Sequence, residues 1–196
     1  MSVASTLDLL DFAGVEENDA QHFRAAILRG ENFQGYIPSD ALDFIVRNYR
    51  ALAQLQALEP AWLDCYVHSS HFSTYGIETI KAIFDACDRQ RLRLLRPITQ
   101  IAGDRATLFR GCAGPVHTMG MSWTSSLDKA IWYAAYHATY YDLTDCAVYV
   151  TTMPVSEIYC CLDHYDHDCV AHPLSTWRVY VPAEEFRLDR PRESMR

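Results

Sequence analysis

The apolar residues of this 196-residue chain change period partway along, and this restricts the fold more than any other feature. Early in the chain the spacing is helical. Pro38-Ser39-Asp40 predicts a helix start capped by Ser39, followed by Leu42, Ile45, Val46, Tyr49, Leu52 and Leu55 at intervals of three and four. Pro60 closes that element and opens another through Trp62 and Tyr66, and Ile77, Ile80, Ile83 and Phe84 repeat the pattern between Gly76 and Cys87. From Leu92 onward short runs replace it. Leu92, Leu94, Leu95 and Ile98 predict a strand ending near Pro97, and Thr107 to Cys112 a second strand. Gly111, Gly114, Pro115 and Gly120 define a loop, after which Ser122 to Ser125 reads as a strand. Ser126-Leu127-Asp128 then opens a helix with an apolar stripe of Ala130, Ile131, Ala134, Ala135 and Ala138. Cys146 to Met153 alternates as a strand should, Pro154 to Glu157 turns, and Ile158 to Leu162, Cys169 to His172 and Trp177 to Val181 complete the set. The expected class is α+β, with a helical region over 1–100 and a strand-rich region over 101–196.

Composition narrows the function classes. Hydrophobic residues make up 49%, enough for a core, yet no apolar run is long enough to span a bilayer. The first ten residues lack a basic stretch leading into an apolar one, so a secretory signal is not expected. A net charge of -8 disfavours nucleic acid as a direct partner, because phosphate binding needs a basic face. The local cluster Arg89, Arg91, Arg93 and Arg96 reads as a solvated strand edge. The chain has seven cysteines, an odd number at irregular spacing, which argues against a disulfide framework and for a reducing, cytoplasmic setting. Cys160, Cys161 and Cys169 lie near His164, His167 and His172, but there is no Cys-x-x-Cys pair and Cys161-x-x-His164 is only half a zinc site. The expectation is buried thiols on strands and no metal. His68 and His71 flank Ser69-Ser70 in a polar turn and read as surface residues.

The candidate chemistry lies in the second half. Arg110 ends an apolar strand, and a buried arginine needs a partner; its planar fork suits a phosphate or carboxylate, and an internal acid would also serve. Gly111 either allows a ligand close to the backbone or makes a turn or bulge. Ser122 and Thr124 alternate with Trp123, so on a strand both hydroxyls share one face and Trp123 points into the core. That face can orient an acid and a sugar, or simply cap the next helix. Asp166 and Asp168 also share a face if the chain is extended there, and can stabilise positive charge at a ribose or belong to an ordinary polar turn.

In combination these segments resemble a known family. Phe109-Arg110-Gly111, then Gly120-x-Ser122-Trp123-Thr124, then Asp128-x-Ala130-x-x-Tyr133-Ala134 are similar to the core of ADP-ribosyltransferases of the arginine-serine-glutamate type. Val148-Tyr149-Val150 and the Pro154 to Ile158 segment follow in the family's order. The resemblance covers roughly residues 105 to 182 and none of the first hundred. It implies a split β-sheet core that takes NAD as co-substrate. In that frame Arg110 binds NAD phosphate or ribose, and Gly111 meets the nicotinamide amide through its backbone. Ser122 orients the catalytic acid and the nicotinamide ribose, with Thr124 supporting the strand. The catalytic acid falls on Asp168, and the acid that orients the target falls on Asp166.

The chain departs from the family by carrying two aspartates where the pattern has glutamates. Aspartate is one methylene shorter, and a small misplacement of a catalytic group costs orders of magnitude in rate. Glu184 or Glu185, after Val181-Pro182-Ala183, is the alternative acid. The resemblance therefore implies an NAD-dependent mono-ADP-ribosyltransferase, a glycosyl-transfer enzyme modifying a protein side chain. An inhibitor of a host or CRISPR complex is one form it can take, since some phage anti-CRISPR proteins belong to the family. The alternatives are a non-catalytic binding protein on a degenerate transferase fold and an NAD-hydrolysing toxin. The helical region would recognise the target or cover the cleft.

Overall fold

A computed structural model describes residues 6–29, 31, 33, 36, 41–68, 74–98, 101–114, 120–162 and 168–188. The chain divides into two units, Met1–Leu95 and Arg96–Arg196. The division falls five residues before the boundary that the hydropathy pattern suggests. No helix among the described residues is long and apolar enough to cross a membrane.

The first unit is helical: α1 (Glu17–Arg29), α2 (Ala41–Gln54), α3 (Leu58–His68), α4 (Gly76–Ala86) and α5 (Arg89–Leu95). α2 packs against α3 and α4, and α3 against α5. The apolar stripe of α2 buries Leu42, Phe44, Ile45 and Leu52. Two aromatic groups fill the interior. Phe12, Phe33 and Phe44 surround Phe23, and Trp62, Tyr66 and Phe84 pack edge to face or tilted. Such pairs add about 0.5–1.5 kcal/mol each beyond area burial. Asn48, buried on α2, accepts from the Asp11 N–H at 2.7 Å and donates to the Asp11 carbonyl at 2.9 Å, tying down the segment before α1. Pro60 sits in the first turn of α3, where a missing N–H costs nothing. His68 is exposed at the end of α3, while Ser39 and His71 lie outside the described residues.

The segment Leu92 to Ile98 is not a strand. Its first part belongs to α5, so Arg89, Arg91 and Arg93 lie on a helix rather than on a strand edge. The alternation of arginine and leucine imitates a strand, but Asp88 decides the local structure. Its carboxylate accepts from the N–H groups of Gln90 at 2.8 Å and Arg91 at 3.1 Å, a helix cap. Only Leu92 of this stretch is buried; Leu94 is 83% exposed. The buried Glu59 accepts from the Asp88 N–H at 2.9 Å and faces Arg91 at 3.5 Å, which fixes the cap against α3.

Among the described residues the second unit holds six strands in two antiparallel sheets. One has the order β1-β3-β6, from β1 (Arg105–Ala113), β3 (Cys146–Pro154) and β6 (Trp177–Val179). The other has the order β2-β5-β4, from β2 (Ser122–Trp123), β5 (Asp168–Val170) and β4 (Cys160–Leu162). β2, β4, β5 and β6 are shorter than the sequence runs suggest, with Ser125 outside β2, whereas β1 and β3 are longer. The sheets meet at an isolated bridge between Phe109 and Thr124. Across it the strands run β4-β5-β2-β1-β3-β6.

Helix α6 (Leu127–Tyr140) covers one face of the first sheet, packing on β1 and β3. Ser126 caps it, its hydroxyl accepting from the Lys129 N–H at 3.3 Å. Ala130, Ala134 and Ala135 are buried there. The opposite face carries Ala106, Leu108 and Met153 into a core with Trp123, Ile158, Cys161, Cys169 and Ala171. Close approach of α6 depends on Gly111, because a Cβ there would overlap the Ala130 carbonyl and crowd the Ala134 nitrogen. Both obstacles are backbone, so relief requires moving the helix. Gly111→Ala is expected to cost at least about 3 kcal/mol, measured as a drop in denaturation midpoint. Ser126→Ala, which removes only a cap, should cost about 1 kcal/mol in the same assay.

Candidate functional site at the parting of two sheets

The site is built where β1 and β2 part company. Phe109 and Thr124 exchange two backbone hydrogen bonds, at 2.7 and 2.8 Å. Continued pairing would set Gly111 opposite Ser122. Instead the Ser122 carbonyl accepts a hydrogen bond at 2.8 Å from Nη1 of Arg110. The guanidinium thus stands where the next rung of the ladder would begin, and the strands diverge beyond it.

Strand parity fixes which groups face this opening. β1 pairs with β3 one for one, without a bulge, from Arg105 to Ala113. Alternate residues of a strand direct their N–H and C=O groups to opposite neighbours. Phe109 directs its own to Thr124 on β2, so Gly111, two residues on, directs its peptide groups the same way, into the opening. Two facts agree with this parity. The Asp104 carbonyl accepts from Val155, and the Gly114 N–H donates to Thr144, so even-numbered residues face the β3 side. Gly111 therefore serves two surfaces: its α-carbon meets α6, and its peptide groups face the parting.

The same reasoning places the side chains. β5 pairs with β2 through Ser122↔Val170 and Trp123↔Cys169, and with β4 through Cys161↔Cys169 and Leu162↔Asp168. Directly opposed residues share a face. Trp123, Cys169 and Cys161 point into the core, with Trp123 only 4% exposed. Ser122, Thr124 and Asp168 therefore project from the other face. Ser122 and Asp168 are half-buried, and Thr124 is buried with its hydroxyl accepting from the Ser126 N–H at 3.2 Å. Thr124 supports the strand-to-helix turn.

Arg110 leaves β1 on the core-side face with Leu108, opposite to the face bearing Ser122 and Asp168. Its contact with β2 is to the backbone. Its Nη1 donates at 2.8 Å to a main-chain carbonyl. Gly120 lies flat against this group: a Cβ there would overlap the guanidinium. Composition shows only that Gly120 belongs to a loop, because the requirement comes from a side chain ten residues away. Burial pushes the Cys112 thiol upward, offset in part by the nearby Arg110 charge.

Asp166 lies outside the described residues, as do His164 and His167. Glu184 and Glu185 occupy a short 3-10 turn (Ala183–Glu185) after β6 and are exposed. β6 is the far edge of the other sheet, so Asp168, not these glutamates, is carried on the strand that pairs with Ser122. Among the described residues no three metal-ligating side chains cluster.

Comparison with known protein families, with curated proteins and with solved structures finds no match to this chain.

The guanidinium and Gly120 form one packed unit, which can be tested. Gly120→Ala should displace Arg110 from the Ser122 carbonyl and destabilise the second unit by about 1–3 kcal/mol. In the Arg110→Ala background the same substitution should cost much less, because the clash has gone. A double-mutant cycle by chemical denaturation measures this coupling; additive effects would show that the two residues are not packed together.

Proposed function

We propose that the unit beginning at Arg96 is an NAD-dependent mono-ADP-ribosyltransferase acting on a protein side chain. One observation carries the reading. Ser122 and Asp168 project from one face of paired strands, beside a parting into which Gly111 directs its peptide groups. This is a hydroxyl, a carboxylate and a backbone donor–acceptor pair at a break between two sheets, in the order that the resemblance to the transferase family implies.

NAD, when bound, supplies a ribose joined to nicotinamide by a bond whose cleavage leaves positive charge on the sugar. In this reading the Gly111 peptide groups hold the nicotinamide amide. The Ser122 hydroxyl orients the ribose and the Asp168 carboxylate. Asp168 stabilises the positive charge developing on the sugar, which a preorganised carboxylate in a water-poor site does effectively. Asp166 orients the incoming side chain of the target. Arg110 acts through Ser122: by gripping the carbonyl, it sets the position of β2 and hence of the hydroxyl. The short carboxylate arm of Asp168 makes its reach to the ribose depend on this bracing.

One observation favours a second reading, a binding protein on a degenerate transferase fold. Arg110 spends a donor on a main-chain carbonyl and leaves β1 on the face away from Ser122 and Asp168, which suits a structural brace more than a phosphate clamp. A protein of this kind would occlude its partner without consuming NAD.

The purified chain, incubated with isotopically labelled NAD and a cell lysate, is expected to transfer ADP-ribose to a protein detectable by mass spectrometry. Asp168→Ala should reduce transfer by about 100-fold or more, and Asp168→Glu should retain or raise it. If neither adduct nor nicotinamide release appears while the folded chain still captures a partner, the binding reading stands instead. Nicotinamide release without a protein adduct would indicate NAD hydrolysis.

A further inference from the structure

Cys161 on β4 and Cys169 on β5 stand directly opposite one another in the second sheet. Their sulfurs are 2.9 Å apart, and the residues are 4% and 3% exposed. Direct opposition comes in two kinds in an antiparallel pair, and only one brings the side chains closest. The Cys161 N–H donates at 3.4 Å to the Arg96 carbonyl, away from β5, so this is the narrow, non-hydrogen-bonded kind. There the α-carbons lie about 4.5 Å apart, within the range that a disulfide spans. All seven cysteines are among the described residues, and none is joined to another in this structure.

We propose that Cys161 and Cys169 form a reversible intramolecular disulfide, a redox modification site that staples β4 to β5 beside Asp168. The oxidant is a low-molecular-weight disulfide such as oxidised glutathione. One cysteine sulfur, losing its proton, attacks the reagent and releases one glutathione thiol, leaving a mixed disulfide on the protein. The second cysteine sulfur loses its proton and attacks the first, releasing a second glutathione thiol. Two protein thiols are oxidised, one reagent disulfide is reduced, and two protons pass to the released thiols. The mixed intermediate is short-lived because the second sulfur is already in place.

The position gives the bond its consequence. Cys169 follows Asp168 directly, and β5 is also the partner of Ser122 and Trp123. The link closes a short loop between cysteines eight positions apart in the chain. It therefore fixes β5 on β4, and with it the carboxylate. A link of this kind stabilises chiefly by restricting the unfolded chain. The proposal stands whether or not the chain transfers ADP-ribose.

The experiment uses the full chain equilibrated in glutathione buffers of graded potential, with trapping by acid and alkylation. A protease cutting before aspartate separates the two cysteines at Asp163, Asp166 and Asp168. The expected product is the peptide starting at Asp145 joined to the peptide starting at Asp168, with fragmentation placing the bond at Cys161. Dithiothreitol should release it. Cys160→Ser should leave it intact, and Cys161→Ser should abolish it. The oxidised chain should melt roughly 5 °C higher than the reduced one. The wild-type readout does not depend on any variant folding. A dominant link through Cys160 or Cys146, stable mixed disulfides at both cysteines, or alkylation of both under oxidising conditions would overturn the proposal.

Discussion

The second unit depends on how the ladder between β1 and β2 is ended. Two backbone bonds at Phe109 and Thr124 join the sheets, and the next rung is replaced by a guanidinium. A strand pair left to itself would continue to zip, since each unpaired peptide group excluded from water costs about 1–3 kcal/mol. Arg110 removes that tendency by occupying the Ser122 carbonyl with a charged donor. A hydrogen bond of that kind contributes more than one between neutral groups. The parting is then a built feature, and Gly111 and Gly120 are the two positions where its geometry leaves no room for a side chain.

Everything candidate about the site hangs on that parting. β2 is only two residues long, yet it touches both sheets: β5 through its own ladder, and β1 through the bridge that follows it. Trp123 anchors it in the core, while Ser122, on the same face as Asp168, stays half-buried. Helix α6 closes the back of β1 and β3 at a distance that only small residues allow. The sulfur pair behind Asp168 belongs to the same construction. Cys169 is placed by the register that places Asp168, one residue earlier and on the opposite face. The hydrogen bond to Cys161, together with burial, pushes the Cys169 thiol upward, so it stays protonated at neutral pH until the pair is oxidised.

The elements legible in the sequence are those with a local cause. Ser126 announces α6 because a cap and an alanine stripe lie in one continuous segment. The valine- and tyrosine-rich alternation of β3 is equally local. The failure at Leu92 is instructive: leucines two apart read as a strand, while Asp88, the residue that decides the matter, lies outside the run and acts through two backbone N–H groups. Of the candidate site, the types and order of Arg110, Gly111, Ser122, Thr124 and Asp168 were legible. What each touches was not, because Gly120 answers to Arg110 and Gly111 to Ala130, contacts that only folding creates.

By itself the sequence determined the division into a helical part and a strand-rich part, the burial of Trp123 and the sharing of one face by Ser122 and Thr124. Periodicity and pleat enforce these within a few residues. Only the tertiary structure decided that Asp168 rather than Glu184 or Glu185 lies on the strand beside Ser122, that Arg110 grips a main-chain carbonyl, and that Cys161 meets Cys169. Each depends on register between strands distant in the chain. A shift of one residue there would turn every side chain to the other face.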